Sequence, residues 1–202
     1  MKENDIRFAK LLVLVNGAVP LALLAWDAYR HQLGANPENF AILTTGMMAL
    51  IFLMLTMAVT PLRKLTGWNW LANLRRMLGL YAFFYAGAHF LLFFCLDRGF
   101  SVPGTLSEMV KRKFLIVGGL AIILMIPLAV TSTNGMIKRL GGRRWRALHR
   151  LAYLAAICGV IHYYMQVKAD VRQPRVFAAV LTVLLAFRLL EYVRHRRPAP
   201  VP

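Results

Sequence analysis

The sequence predicts an all-α polytopic membrane protein, a helical bundle of six transmembrane helices, on three observations. Of its 202 residues 59% are hydrophobic and only 16% are charged, where a soluble chain usually carries about a quarter charged residues. The apolar residues come in blocks of about 20, the length a helix needs to cross a hydrocarbon core of roughly 30 Å. The basic residues behind the net charge of +17 collect between the blocks, where they set topology and meet anionic lipid. No basic face lies outside those stretches, so the charge does not point to nucleic acid.

The first block is read as 8–28; Met1 to Lys10 is polar and Leu11 to Trp26 apolar. It is long for a signal sequence and no A-x-A cleavage pattern follows it, so it reads as an uncleaved span. Gly34-Ala35-Asn36-Pro37 separates it from the second block, 41–60, which Pro61 is expected to close. The third block, 77–96, ends at Asp97-Arg98-Gly99, and the fourth, 114–133, at Asn134-Gly135. Gly141-Gly142 precedes the fifth, 147–167, and Pro174 the sixth, 176–192. Every connection is shorter than about 20 residues, within the range where charge sets orientation. That leaves no room for a separate soluble domain, so residues 1–202 read as one domain.

Lys and Arg divide unequally. The N-terminal tail, the second and fourth connections and the C-terminal end carry 17, and the opposite side carries 8. The richer side is expected to be cytoplasmic, with both termini inside. Trp68, Trp70 and Trp145 fall beside that side and Trp26 with Tyr29 beside the other, as in an interfacial aromatic belt. Pro20 and Pro127 lie within spans, which is tolerated where neighbours re-satisfy the freed carbonyls. Gly118-Gly119, Gly87 and Ala88 offer small surfaces for close helix approach.

Cys95 and Cys158 both fall in apolar blocks, and no CxxC or CxxCH occurs, so neither covalent haem attachment nor a zinc site is supported. Of the five histidines, His31 in an outer loop and His195 in the C-terminal tail are expected in solvent. His89 lies within the third block, and His149 and His162 share the fifth, 13 residues or about 20 Å apart along a helix. Counted from the same side, His89 is about 18 Å deep and His162 about 22 Å. An ionisable side chain facing lipid costs several kcal/mol, so these rings should face the bundle interior. Two neutral imidazoles at matched depth on facing helices suit the axial positions of a b-type haem. An interhelical hydrogen bond, a proton relay or a substrate path uses the same residues, although the spans lack embedded carboxylates. Thirteen residues turn a helix about 140° short of a full repeat, so His149 and His162 face different sides unless the fifth span bends.

The segments WRALHRLAYLAAICGVIHYY, TSTNGM and LRRMLGLYAFFYAGAHF resemble the MsrQ family, formerly YedZ, within the ferric reductase and NADPH oxidase transmembrane superfamily. The resemblance covers nearly the whole chain. It implies the haem-binding subunit of a protein-methionine-sulfoxide reductase in the bacterial inner membrane, a redox subunit without catalysis of its own. Electrons would come from a cytoplasmic flavin reductase or the quinone pool. They would pass through one or two b-type haems to MsrP, a periplasmic molybdopterin reductase that repairs oxidised methionines in envelope proteins. FMN is a further implied cofactor.

His89, His149 and His162 match the family's haem histidines. The wider superfamily carries a second histidine about 14 residues before the first in span three, where this chain reads Leu74-Arg75-Arg76-Met77. An inner haem on His149 would therefore lack an opposing histidine. Arg75 or Arg76 is placed to pair its propionates, although both also serve positive-inside topology, and Met77 is a weaker axial candidate. Gly141-Gly142 is a turn without G-x-G-x-x-G, so no nicotinamide fingerprint is present. No stretch reads as the flavin and NADPH domain that the oxidases fuse to this bundle, so a separate donor is expected. The partner is expected on the outer loop 97–113, with the basic Lys111-Arg112-Lys113 run read as a solvated flank.

Overall fold

The computed structural model describes residues 3–196, with side chains to residue 194. Lys2 and Arg197, counted for orientation above, lie outside the described residues, as do the side chains of His195 and Arg196. The described residues form helices α1 (Glu3–Tyr29), α2 (Pro37–Thr66), α3 (Arg75–Leu92), α4 (Val102–Lys111), α5 (Lys113–Val130), α6 (Asn134–Leu140), α7 (Gly142–Leu148), α8 (Leu151–Gln166) and α9 (Arg172–Arg196). A 3-10 turn, Asn69–Asn73, precedes α3, and a π turn, Phe93–Asp97, extends it. The expected all-α membrane bundle is what forms.

Among the described residues, five helical stretches are long and apolar enough to cross a membrane: Glu3–Tyr29, Pro37–Thr66, Arg75–Asp97, Lys113–Val130 and Arg172–Arg194. The sixth expected span is α8, which has 16 residues and so reaches about 24 Å.

Helix starts follow their capping chemistry. Asn36 accepts from the Asn39 N–H at 3.0 Å, with Pro37 in the first turn of α2. Gly67 ends α2 in the left-handed region, φ 74°, its N–H donating to the Arg63 carbonyl. Ser101 caps α4 by accepting from Gly104 N–H at 3.1 Å. At α9 the Arg172 guanidinium and N–H both bond Asp170 and hold its carboxyl below the usual range.

Three expectations need correction. Pro61 does not close the second span: α2 runs on to Thr66. Proline removes the N–H that would bond the carbonyl four residues back, here that of Met57. Arg188 of α9 supplies the replacement, Nη2 to Met57 O at 3.1 Å, while Nη1 donates to Tyr153 OH at 2.7 Å. The connection 97–113 is not a plain loop but contains α4. The fifth span is not one helix from 147 to 167. It breaks at His149–Arg150, where Arg150, Ala152 and Tyr153 bond carbonyls three residues back.

α2 packs along α3 and α5 along α8, with α9 closing against α8 and α2. Leu53, Met57, Ala82, Tyr85, Ala155, Ala156 and Leu181 form the buried centre. α1 sits at the edge, tied by Tyr81 OH to Leu14 O and Tyr85 OH to Gly17 O. Large apolar side chains on the outer faces stay exposed, Ile123 at 63% and Val183 at 67%. Such a contiguous apolar exterior suits lipid rather than water.

Candidate functional site

The two tight helix pairs enclose a cavity of about 420 Å³ between α2, α3, α5 and α8, within the size range of cofactor sites. Its walls are largely apolar, with Leu50, Leu53, Ala86, Phe93, Ile122 and Met125 among them. Asn39, Asp97, Thr105, Arg112, Gln166 and Gln173 supply the polar lining. α4 contributes Thr105 and Met109, and is clamped by Arg98, which reaches Asp97 at 2.6 Å and Glu108 at 3.4 Å. Arg112 pairs with Glu108 at 2.5 Å. Lys111, Arg112 and Lys113 are exposed, as expected of a solvated flank, and Arg112 also borders the cavity.

His89 from α3 and His162 from α8 face each other across this space. Their ring centres are 6.0 Å apart and their planes nearly perpendicular, at 82°. The matched depth expected from helix rise is thus met. Each ring is held by one nitrogen. His89 Nδ1 donates to the Ile42 carbonyl at 2.8 Å, and His162 Nδ1 to the Phe114 carbonyl at 2.7 Å. A proton fixed on Nδ1 leaves Nε2 as the nitrogen with a free lone pair, the arrangement that orients metal-binding histidines.

The donor set can be tested for fit. Nitrogen bonds a first-row metal at about 2.0–2.1 Å, so two ring nitrogens that share one metal lie no more than about 4 Å apart. Ring centres 6.0 Å apart allow that. Among the described residues no group of three or more His, Cys, Asp or Glu converges. The pair is therefore suited to a metal that brings its other ligands with it, as iron does in a porphyrin.

His149, Arg75 and Arg76 are not brought to this cavity. His149 lies in the break between α7 and α8, stacked on Trp145 with ring centres 3.8 Å apart, its Nδ1 donating to the Trp145 carbonyl at 3.1 Å. Trp145 is itself anchored through Nε1 to Thr131 O at 2.9 Å. The break answers the angular conflict: the two histidines of the fifth span do not share a continuous helix. Arg75 is half-buried and near enough to His149, Arg188 and Tyr153 for their charges to interact, whereas Arg76 is exposed. His31 is in solvent as expected.

Sequence reasoning missed two glycines at this site. Gly46 lies against the His89 ring and Gly118 against the His162 ring. In the sequence Gly118 reads only as a small surface for helix approach. The signal lies in Ile42–Gly46 and Phe114–Gly118, each a residue whose carbonyl accepts the imidazole N–H, followed four positions later by glycine.

Residues 42–160 match the family described as ferric reductase like transmembrane component. The chain is 49% identical to the protein-methionine-sulfoxide reductase heme-binding subunit MsrQ of Herminiimonas arsenicoxydans, over 92% of this chain and 86% of that one. The subunit of the same description in Rhodospirillum rubrum is 45% identical, over 100% of this chain and 97% of its own length. That of Ralstonia nicotianae is also 45% identical, over 94% and 88%.

Proposed function

The chain belongs to the ferric reductase-like transmembrane family, in its MsrQ group of haem-binding subunits, and on that premise we propose that His89 and His162 would hold the iron of a b-type haem that carries electrons across the membrane. The observation that carries the reading is the facing pair of imidazoles, 6.0 Å apart, each with Nδ1 engaged by a carbonyl of a neighbouring helix.

When bound, the haem supplies a reversible one-electron step. The chain's own residues do the rest. The Ile42 and Phe114 carbonyls fix the tautomer and direction of the rings. The apolar wall around Leu53, Phe93 and Met125 excludes water, which together with the axial ligands tunes a haem's potential. Arg112, Gln166 and Gln173 offer donors for propionate carboxylates at the polar part of the cavity. A second haem, if the chain takes one, would fall to His149 with Arg75 near it, and there the ring meets Trp145 rather than another imidazole.

The electron path runs from a cytoplasmic flavin reductase or quinol, through this chain, to the periplasmic molybdopterin methionine-sulfoxide reductase MsrP. FMN joins the proposal through family resemblance alone, with none of the residues above assigned to it. The 17-to-8 division of basic residues supports an inner-membrane chain with both termini cytoplasmic.

Purified in detergent, the chain should show a haem absorption spectrum that is reduced by a flavin reductase and reoxidised by a methionine-sulfoxide reductase with its substrate. A colourless protein that conducts protons would favour the histidine-relay reading instead.

A further inference from the structure

The two imidazoles are seated by the same device, built twice. His89 of α3 donates to the carbonyl of Ile42 in α2, and the residue one turn further along α2 is Gly46. His162 of α8 donates to the carbonyl of Phe114 in α5, and the residue one turn further along α5 is Gly118. In both pairs the histidine and its acceptor belong to different helices, and the glycine follows the acceptor by four positions.

That spacing has a physical reason. A helical Cα–Cβ bond tilts toward the N-terminus, and a side chain covers the turn before its own Cα. The side chain at position i+4 therefore shields the carbonyl at position i. That carbonyl already accepts one bond inside the helix but keeps a second lone pair; at Ile42 the Thr45 hydroxyl also approaches it, at 3.0 Å, but lies nearer the Ala41 carbonyl, at 2.8 Å. Glycine at i+4 leaves the second lone pair open to a donor from outside. A Cβ on Gly46 would lie 2.9 Å from His89 Nδ1, and one on Gly118 would lie 2.6 Å from His162 Nδ1. Both are closer than real Cβ atoms approach, and both strike the nitrogen that makes the hydrogen bond. Glycine inside a helix is otherwise unfavourable, so a gain must offset it at both places.

We infer that Gly46 and Gly118 are positioning residues: each bares one backbone carbonyl of its helix so that the opposite imidazole can seat there, Nδ1–H inward and Nε2 toward the cavity. The purpose of this seat rests on the proposed haem reading, while its geometry does not.

The test is a pair of double-mutant cycles on the full chain in detergent. For α2 the proteins are wild type, Gly46→Ala, His89→Ala and the double variant, and for α5 the corresponding set uses Gly118 and His162. The thermal midpoint of the helical circular-dichroism signal is read first. Gly46→Ala should lower it in wild type and cause no further loss once His89 is alanine, since the clashing ring is gone. An equal loss in both backgrounds, or no loss in either, overturns the inference. Where Gly46→Ala does not accumulate, accumulation of the double variant at the level of His89→Ala supports it, and failure of the double variant alone overturns it.

The second readout is spectroscopic. In the haem-loaded protein, Gly46→Ala and Gly118→Ala should each shift the reduction potential and the low-spin ferric signal. Gly87→Ala, on α3 with nothing within 4 Å of the added carbon, should leave both unchanged. Unaltered potential and signal in both seat variants would contradict the inference. If the wild-type chain holds no haem, the functional reading fails, while the thermal cycles still decide the role of the glycines.

Discussion

Arg188 illustrates how a single residue settles a question that the sequence poses. Pro61 leaves the Met57 carbonyl without its helical partner, in a part of α2 that is buried. Arg188 reaches across from α9 to accept that role and also donates to Tyr153. An unsatisfied buried acceptor costs about 1–3 kcal/mol. Arg188→Met should therefore lower stability by about that amount in a detergent unfolding titration. Adding Pro61→Ala restores an N–H to α2, and should recover part of the loss. If the two changes are simply additive, Arg188 does not serve Pro61.

At the same scale, the histidines were legible from depth alone, because helix rise converts sequence position into height. Their seats were not, because a glycine has no side chain to signal what it admits. That Arg112 borders the cavity as well as lying on an exposed flank was not legible either, because a basic run at a span end carries no mark of what lies beside it.

Among the elements, α4 and the α7–α8 break decide the shape of the site. α4 carries Thr105, Glu108 and Met109 inward and Val102, Leu106 and Val110 outward. Its start was written in Ser101 and Pro103, an N-cap and an early-turn proline, but its ten residues are too short for a hydropathy block. Glu108 holds it against Arg98 and Arg112. These partly exposed pairs are worth about 1 kcal/mol or less each. Glu108→Gln should consequently speed amide hydrogen exchange in α4 while leaving α2 and α5 as they were. Unchanged exchange in α4 would mean that packing alone holds it.

The break at His149–Arg150 was visible in advance only as a conflict of angles. Hydropathy runs on through 147–167, and apolar content cannot report a switch from bonds four residues back to bonds three residues back. The site residues His149 and His162 therefore looked like two positions on one rod, and the fold separates them.

For the whole molecule, the fold class was the most legible feature, because lipid imposes it. Backbone groups without water must bond within their own helix, so long apolar blocks fix both the element type and its approximate length. Orientation rests on charge rather than on packing. Reporter fusions to the C-terminus should be active when the reporter works in the cytoplasm and silent when it requires the periplasm. The opposite pattern would reverse the proposed direction of electron flow through the bundle.

The ligand pair can be tested by electron paramagnetic resonance of the ferric protein. The account predicts a low-spin signal from an iron with two axial imidazoles, lost in His89→Ala and in His162→Ala alike. Retention of the complete wild-type signal in either variant would contradict it.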